Sequence, residues 1–380
     1  MMRILFIARY RDPTMDRKLL LMSAADDVAI RHVRPARWND ELLRVEQPPE
    51  STGSLQQVGV PMIGRPNDPH RAVYATLDFG MLRFRPHIVH AEEEPDSLSA
   101  LQIIAARQLF AAEARLLLHT WQNLERPRRP WVNVVQTLSL RGADGILCAN
   151  REAQAILHRR KYRGRTWVLP AIGVDTRVFY PRENRETRQG FCVGYVGRLV
   201  PEKGLDTLVN ALGMLETPNV TLRIIGNGPY RADLQRHVAE LGLSERVHLE
   251  SPLPPEQVAL AMCQMDALVL PSRTTSVWKE QFGRVLVEAM ACGIPVVGSD
   301  SGAIPEVIGD AGLIFPEGDA RALADCLRQL ADSPALRRQL EVRGRQRVAR
   351  CYSQDEIAAK TLQVYREMLA AMSVSVRLHQ

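Results

Sequence analysis

Short apolar, β-branched runs alternate with longer stretches of helical periodicity along most of the chain. The runs at 3–8 (RILFIA), 27–33 (DVAIRHV), 87–91 (HIVHA), 115–119 (RLLLH) and 145–149 (GILCA) predict strands. The stretches at 97–112 and 130–142 predict helices between them. Strand, helix and strand in succession imply a parallel sheet covered on both faces. The rhythm stops at 173–190, a polar and charged stretch with Pro181 and the run RENRETRQG, which reads as a linker. It restarts at 191–196 (FCVGYV) and continues through 221–225, 247–250, 267–270, 295–298 and 312–315. A last helix is predicted over 353–372, with Ser353 as its N-cap candidate. The fold class is therefore α/β, with two doubly wound, Rossmann-like domains over 1–172 and 191–350. Such domains place their ligand sites at the C-terminal ends of the strands, here facing each other across a cleft.

Composition changes this picture little. A chain of 380 residues with 46% hydrophobic positions can bury two ordinary cores. A formal net charge of +6 suits an anionic ligand and equally an ordinary basic surface. No run approaches the ~20 apolar residues of a membrane span. The apolar run at 4–8 is too short for a signal peptide and reads as the first strand. The six cysteines, Cys148, Cys192, Cys263, Cys292, Cys326 and Cys351, show no metal-ligand spacing and read as reduced packing residues of a cytoplasmic protein.

The chemistry concentrates in residues 280–306 (EQFGRVLVEAMACGIPVVGSDSGAIPE). Glu280 and Glu288 lie eight positions apart, with Phe282-Gly283 and an apolar helical run between them. If a helix starts near Gly283, the free N–H groups of Phe282, Gly283 and Arg284 form an anion site at its positive end. Glu280 then sits on the loop before it and Glu288 more than a turn further in, one carboxylate on each side of a bound anion. A nucleotide-sugar needs this arrangement: N–H groups for the diphosphate and carboxylates for the hydroxyls of ribose and sugar. An acid among Val287, Ala289 and Met290 needs a partner if buried, and ribose hydroxyls would supply one. The alternative is a pair of solvated helix-face charges. Arg198 and Lys203 follow the strand ending near Val196. They read either as the cations that neutralise a diphosphate or as exposed loop charges. Gly226 and Gly228, in Gly226-Asn227-Gly228-Pro229, end a strand and open a helix at Pro229, which permits close approach to a ligand or a tight structural turn.

The 280–288 block resembles the E-x7-E signature of retaining glycosyltransferases of family 4, which have the GT-B architecture. Gly197 to Gly204 (GRLVPEKG), the Gly226-Asn227-Gly228-Pro229 turn, and Gly173-Val174-Asp175 with Phe179-Tyr180-Pro181 match further segments of that family. The resemblance runs from about Ala143 to the C-terminus and, more loosely, before it. It implies that 351–380 forms a helix crossing back to the first domain, and that 191–350 binds a UDP-, GDP- or ADP-sugar. Glu288 would hold the ribose and Glu280 contact the transferred sugar, and Leu253 would lie in the loop whose backbone cradles the base. Arg284 departs from the family, which more often has an apolar residue there.

The first domain would bind the acceptor. His119 matches the position of a functional histidine in several members, against the reading of a structural histidine at a strand end. Gln122 and Asn123 could hold hydroxyls. His90 to Pro95 (HAEEEP) resembles another family segment, with Glu92 where a second histidine is usual. Its three glutamates read as a solvated face or a site for a polar acceptor. The glycine-rich loop many relatives have after the first strand is replaced by Arg9 to Thr14, where Arg9 or Arg11 could serve as anion partners.

The resemblance implies transfer of a hexose-type sugar to a glycan, lipid-linked or small-molecule hydroxyl, with no metal and no cofactor beyond the donor. The rivals are a sugar-nucleotide epimerase, for which no extra acid or base is visible, and a catalytically silent relative that binds sugar nucleotide or supports a partner transferase. Basic residues with Trp131 and Tyr162 among them, from Arg126 to Arg129 and Arg159 to Arg165, suit peripheral contact with the inner face of a membrane or an ordinary surface. No nucleic-acid signature accompanies them.

Overall fold

The computed structural model describes residues 1–9, 13–36, 38–39, 44–45, 51–64, 68, 70–182, 190–215 and 219–377. The chain divides into two compact units. One comprises Met1–Gly173 with Gln354–Gln380, the other Val174–Ser353.

The first unit is built on a seven-stranded sheet. In chain order its strands are β1 (Met2–Ala8), β2 (Val28–Pro35), β3 (Leu55–Val60), β4 (Ile88–Glu92), β5 (Arg115–Thr120), β6 (Gly145–Cys148) and β7 (Arg165–Val168). The spatial order is β7-β6-β5-β4-β1-β2-β3, with every pairing parallel. Order therefore reverses between β1 and β4, which makes a crevice at their C-terminal ends. β1 is apolar on both faces because both are covered. Ile4 and Phe6 pack with Leu19, Met22, Ile357 and Tyr365, whereas Leu5 and Ile7 pack with Val89, Ile103 and Leu116. The Pro13–Ser23 and Gln354–Arg377 helices lie on the first of these faces. The latter returns the end of the chain to the first unit.

The second unit holds a six-stranded sheet of β8 (Phe191–Val196), β9 (Val220–Ile225), β10 (Val247–Glu250), β11 (Ala267–Leu270), β12 (Val296–Ser299) and β13 (Gly312–Phe315). Its order is β10-β9-β8-β11-β12-β13, again all parallel, with the reversal between β8 and β11.

The stretch read as a linker is largely folded in its described part. Val174 and Phe179 are buried, and the Val174 N–H donates to the Tyr352 carbonyl at 2.8 Å. Residues 183–189 of that stretch lie outside the described residues.

Candidate active site

The loops that follow β8 and β11 meet at the reversal point of the second unit. Gly204 has a φ of +65°, and a Cβ there would stand 2.0 Å from the Pro271 carbonyl oxygen, so only glycine lets the loops approach this closely. The Arg273 N–H donates to the Glu202 carbonyl at 2.8 Å and ties them further. This contact brings together two residues singled out by sequence: Lys203 Nζ lies 2.6 Å from Glu280 Oε2. The Ser272 hydroxyl donates to the same oxygen at 2.9 Å, and the Lys203 ammonium stands 4.8 Å from the centre of the Trp278 ring. Glu280 is 8% exposed. Its own carbonyl accepts the Ala303 N–H at 3.0 Å, and a Cβ on Gly302 would press within 2.1 Å of that oxygen. Side chain and backbone of Glu280 are thus both fixed.

Arg198 projects from the same loop. The Tyr195 hydroxyl donates to its carbonyl at 2.8 Å, which pins the backbone. Its guanidinium is exposed and makes no ion pair with the described residues. The helix after Glu280 runs Arg284–Ala291, with Gly283 as N-cap at φ +74° and no side-chain cap. Its first amides are therefore open at the positive end of the helix. Phe282 turns its ring inward, edge-on to Tyr352 at 5.6 Å. Arg284 and Glu288 form an i,i+4 ion pair at 2.8 Å. Burial pushes the Glu288 carboxyl up, and the Arg284 guanidinium works against that rise.

Gly226 and Gly228 are accounted for inside the protein. A Cβ on Gly226 would lie 1.9 Å from the Gly197 carbonyl oxygen, and one on Gly228 would lie 2.2 Å from that of Leu199. The Leu199 N–H donates to Asn227 at 2.9 Å, and the Tyr230 N–H to Leu199 at 3.0 Å. The helix expected from Pro229 begins at Arg231 instead, because Pro229 and Tyr230 form the turn that makes these bonds. Arg231 was missed by sequence reasoning. Its guanidinium donates to the carbonyls of Gly226 and Leu249, both at 3.2 Å. Leu253 is half-buried in the loop after β10, two strands away from β8.

The polar residues of the first unit gather at its own reversal point. Arg9 donates to Glu93 Oε1 at 2.8 Å and to the Ser99 hydroxyl at 2.7 Å, and Tyr74 donates to the same Glu93 oxygen at 3.2 Å. Arg9 therefore serves a carboxylate rather than standing free for an anion. Tyr10, Arg11 and Asp12 lie outside the described residues, and Pro13 and Thr14 already belong to the helix. The reading of Glu92 to Glu94 as a solvated face is corrected. Glu92 pairs with the buried Lys18, whose ammonium also donates to the Ala171 carbonyl at 2.6 Å. Glu94 accepts the Thr120 hydroxyl at 2.8 Å and the Trp121 N–H at 2.7 Å. Burial, reinforced by the charge of Asp96, pushes the Glu94 carboxyl up to about 8. Gln122 donates to Asp96 at 2.6 Å and accepts from Gln136 at 3.3 Å; Asn123 is buried.

His119 sits near the end of β5 and is 1% exposed. It shares a face with Leu117, the face covered by the Gln354–Arg377 helix. Its ring lies 4.9 Å from that of Trp121, and neither nitrogen makes a well-aligned hydrogen bond, although the Leu169 backbone faces it. Burial first, and the Lys18 charge second, push its pKa down to about 3, so the imidazole is neutral.

Residues 178–347 match the family of glycosyl transferases group 1. Among curated relatives, the MMP alpha-(1->4)-mannosyltransferase of Mycolicibacterium hassiacum is 34% identical over 54% of this chain and 49% of its own length. The GDP-mannose-dependent alpha-(1-6)-phosphatidylinositol monomannoside mannosyltransferase of Mycolicibacterium smegmatis is 35% identical over 46% of this chain and 49% of its own. The D-inositol 3-phosphate glycosyltransferase of Streptomyces avermitilis is 29% identical, covering 66% and 58%. The chain thus spans about half the length of the curated relatives it matches.

Solved structures cover nearly the whole chain. Sucrose-phosphate synthase from Thermosynechococcus elongatus superposes with a TM-score of 0.73 at 24% identity, over 98% of this chain and 100% of its own. Anabaena HepE in complex with UDP gives 0.71 at 18%, over 96% and 100%. These likenesses show the fold, two Rossmann-like parallel-sheet domains as in GT-B glycosyltransferases. Ser272 and Trp278, which hold the Lys203–Glu280 pair in this glycosyltransferase-like unit, were also missed. For Ser272 a signal was available: it lies two residues beyond the strand-like run at 267–270, where an open α/β sheet binds its ligand.

Proposed function

We propose that this protein is a retaining glycosyltransferase that moves a hexose-type sugar from a nucleotide-diphospho-sugar to an acceptor hydroxyl without a metal. One observation carries the reading: Lys203, Glu280 and Ser272 are hydrogen-bonded together at the sheet's reversal point, beside an unpaired Arg198 and an uncapped helix start. In the reaction, the bond between the anomeric carbon and the diphosphate oxygen breaks, and the acceptor oxygen bonds to that carbon on the same face. The acceptor's proton passes to the departing phosphate oxygen. Arg198, Lys203 and the first amides of the Arg284–Ala291 helix stabilise the charge that grows on the diphosphate. An ammonium has three donors, so Lys203 can keep Glu280 while it binds phosphate. Glu280 contacts the sugar and Glu288 the ribose, whose hydroxyls offset the burial of that carboxyl. No carboxylate is assigned as a nucleophile.

The names of the curated relatives favour GDP-mannose as the first donor to try, and a lipid-linked acceptor fits the same names. The test is incubation with a panel of UDP-, GDP- and ADP-sugars, following slow donor hydrolysis and the anomeric configuration of the product by NMR. Turnover of one donor with configuration retained is expected. A product of inverted configuration, or no turnover of any sugar nucleotide that binds, overturns the reading.

A further inference from the structure

The Pro130–Gly142 helix has two unlike faces. Val132, Val135, Gln136 and Ser139 are buried in the first unit. On the other side Trp131, Val134 and Leu138 are 36%, 57% and 44% exposed. Their spacing of three and four residues places them along one stripe of the helix.

Beside this stripe lies an open groove of about 700 Å³. Thr137 and Arg141 form part of one wall, and Lys161 and Arg163 part of the other. Among the described residues, no acidic side chain lines it. Arg129, Arg141, Lys161 and Arg163 are all exposed, and none forms an ion pair with the described residues. Other cations of the basic stretch have carboxylate partners within the chain: Arg128 with Asp96, Arg159 and Arg160 with Glu125, and Arg165 with Glu367.

The far wall is a fixed structure. Lys161 takes a φ of +55°, uncommon for a residue with a side chain. The turn is held by the Tyr162 N–H donating to Leu157 at 3.1 Å and the Tyr162 hydroxyl donating to Ala143 at 3.1 Å. A Cβ on Gly164 would collide with that hydroxyl at 2.1 Å.

Four unpaired cations select an anionic partner, and the exposed aliphatic and indole groups select among such partners. Nucleic acid or free phosphate would satisfy the cations and leave Val134 and Leu138 against water. A bilayer surface offers phosphate groups and acyl carbon together, and Trp favours that boundary. We propose that this face docks on an anionic phospholipid leaflet, with the groove seating a headgroup phosphate between Arg141 and the Lys161–Arg163 wall. The proposal uses residues of the first unit only and stands apart from the transfer reading.

The test is co-sedimentation of the full chain with vesicles of phosphatidylcholine, pure or containing about a third phosphatidylglycerol, at low and high salt. Binding to the anionic vesicles alone, lost at high salt, is expected. Each cation near an anionic leaflet contributes roughly fivefold, so R141A/K161A/R163A weakens partitioning by roughly a hundredfold. Val134→Ser with Leu138→Ser weakens it without changing the salt slope. Both variants should keep the wild-type melting temperature and donor hydrolysis. Equal binding to neutral vesicles, no binding, or an unaltered triple variant overturns the proposal. So does displacement by millimolar inorganic phosphate, which marks a free-anion site, or preference for an oligonucleotide over vesicles.

Discussion

At the scale of single residues, Lys203 has a partner in Glu280 and a proposed duty toward the diphosphate, which a double variant separates. Its ammonium partners a carboxylate that is 8% exposed, so its loss leaves Glu280 with the Ser272 hydroxyl in place of a charge. Lys203→Ala is expected to lower kcat/KM by about two to three orders of magnitude, the scale of losing a transition-state charge stabiliser, and to lower the melting temperature by several degrees. Adding Glu280→Gln removes the stranded charge. The double variant should recover most of the stability and none of the activity. If kcat/KM recovers along with the melting temperature, the pair is structural. Both members were legible in the sequence because each stands in a motif with a position relative to a strand or helix. Trp278 was not, since no spacing rule says which ring a loop cation will stand over.

At the scale of elements, the first sheet carries buried ionisable groups that set its response to acid. His32, His90 and His119 lie on β2, β4 and β5, and all are buried. Burial is the largest cause in each case. It is reinforced by Arg34 at His32 and by Lys18 at His90 and His119. His32 and His119 fall to about 3, and His90 falls well below its ordinary value. Below pH ~6.5 the unfolded chain takes up protons that these native imidazoles refuse. Stability is therefore full above that pH and declines toward pH ~3, by about 1.4 kcal/mol per pH unit for each histidine. Glu94 acts in the opposite sense. With its native value raised to about 8, stability from this group is greatest below its unfolded value and declines as pH rises through 8. Thermal melts across pH should show highest stability near pH ~6.5, where the two trends cross. His119→Asn should flatten the acid limb, and Glu94→Gln the limb between pH ~6.5 and ~8. An acid limb unchanged by the histidine replacement would contradict its buried neutral state. The strands that carry these groups were readable from their apolar runs, but the edge strands β3 and β7 were not. Exposed or half-exposed positions break their apolar pattern, since an edge lacks a covering neighbour.

At the scale of the molecule, alternation of pattern conveyed two doubly wound sheets, and the motifs put most of the residues proposed to bind the donor in the second. The order of strands within each sheet was not legible, because a βαβ run has the same periodicity whichever side it winds. Yet that order brings the loops after β8 and β11 together and so builds the Lys203–Glu280 contact. The division into units also bears on His119. It lies in the first unit, and the proposed donor residues lie in the second. His119→Ala should therefore leave donor affinity within about threefold, or ~0.7 kcal/mol. Transfer should still drop by at least about tenfold, because the neutral ring supports Trp121, and an acceptor hydroxyl set beside it loses its position. Calorimetry for donor binding beside a transfer assay decides the point, and normal transfer would reduce His119 to a packing residue.

Charge balance leads to the final expectation, that transfer needs no metal. A departing nucleoside diphosphate must be neutralised where it leaves. Arg198, Lys203 and Arg284 bring three positive charges, against two carboxylates at Glu280 and Glu288. Counted as ionised groups, they leave one net positive charge, and the burial that pushes Glu288 toward its neutral form raises that balance. The open amides at Gly283 add the positive end of a helix, equivalent to roughly half a charge. A divalent cation would have to enter a region where the unpaired Arg198 repels it. The carboxylate best fixed to receive it, Glu280, already accepts from Lys203 and Ser272. Activity should accordingly survive an excess of EDTA unchanged, while Arg198→Ala should lower turnover without creating a response to added magnesium. Loss of activity in EDTA with recovery on adding Mg²⁺ or Mn²⁺ would show instead that the cations of this site are too few.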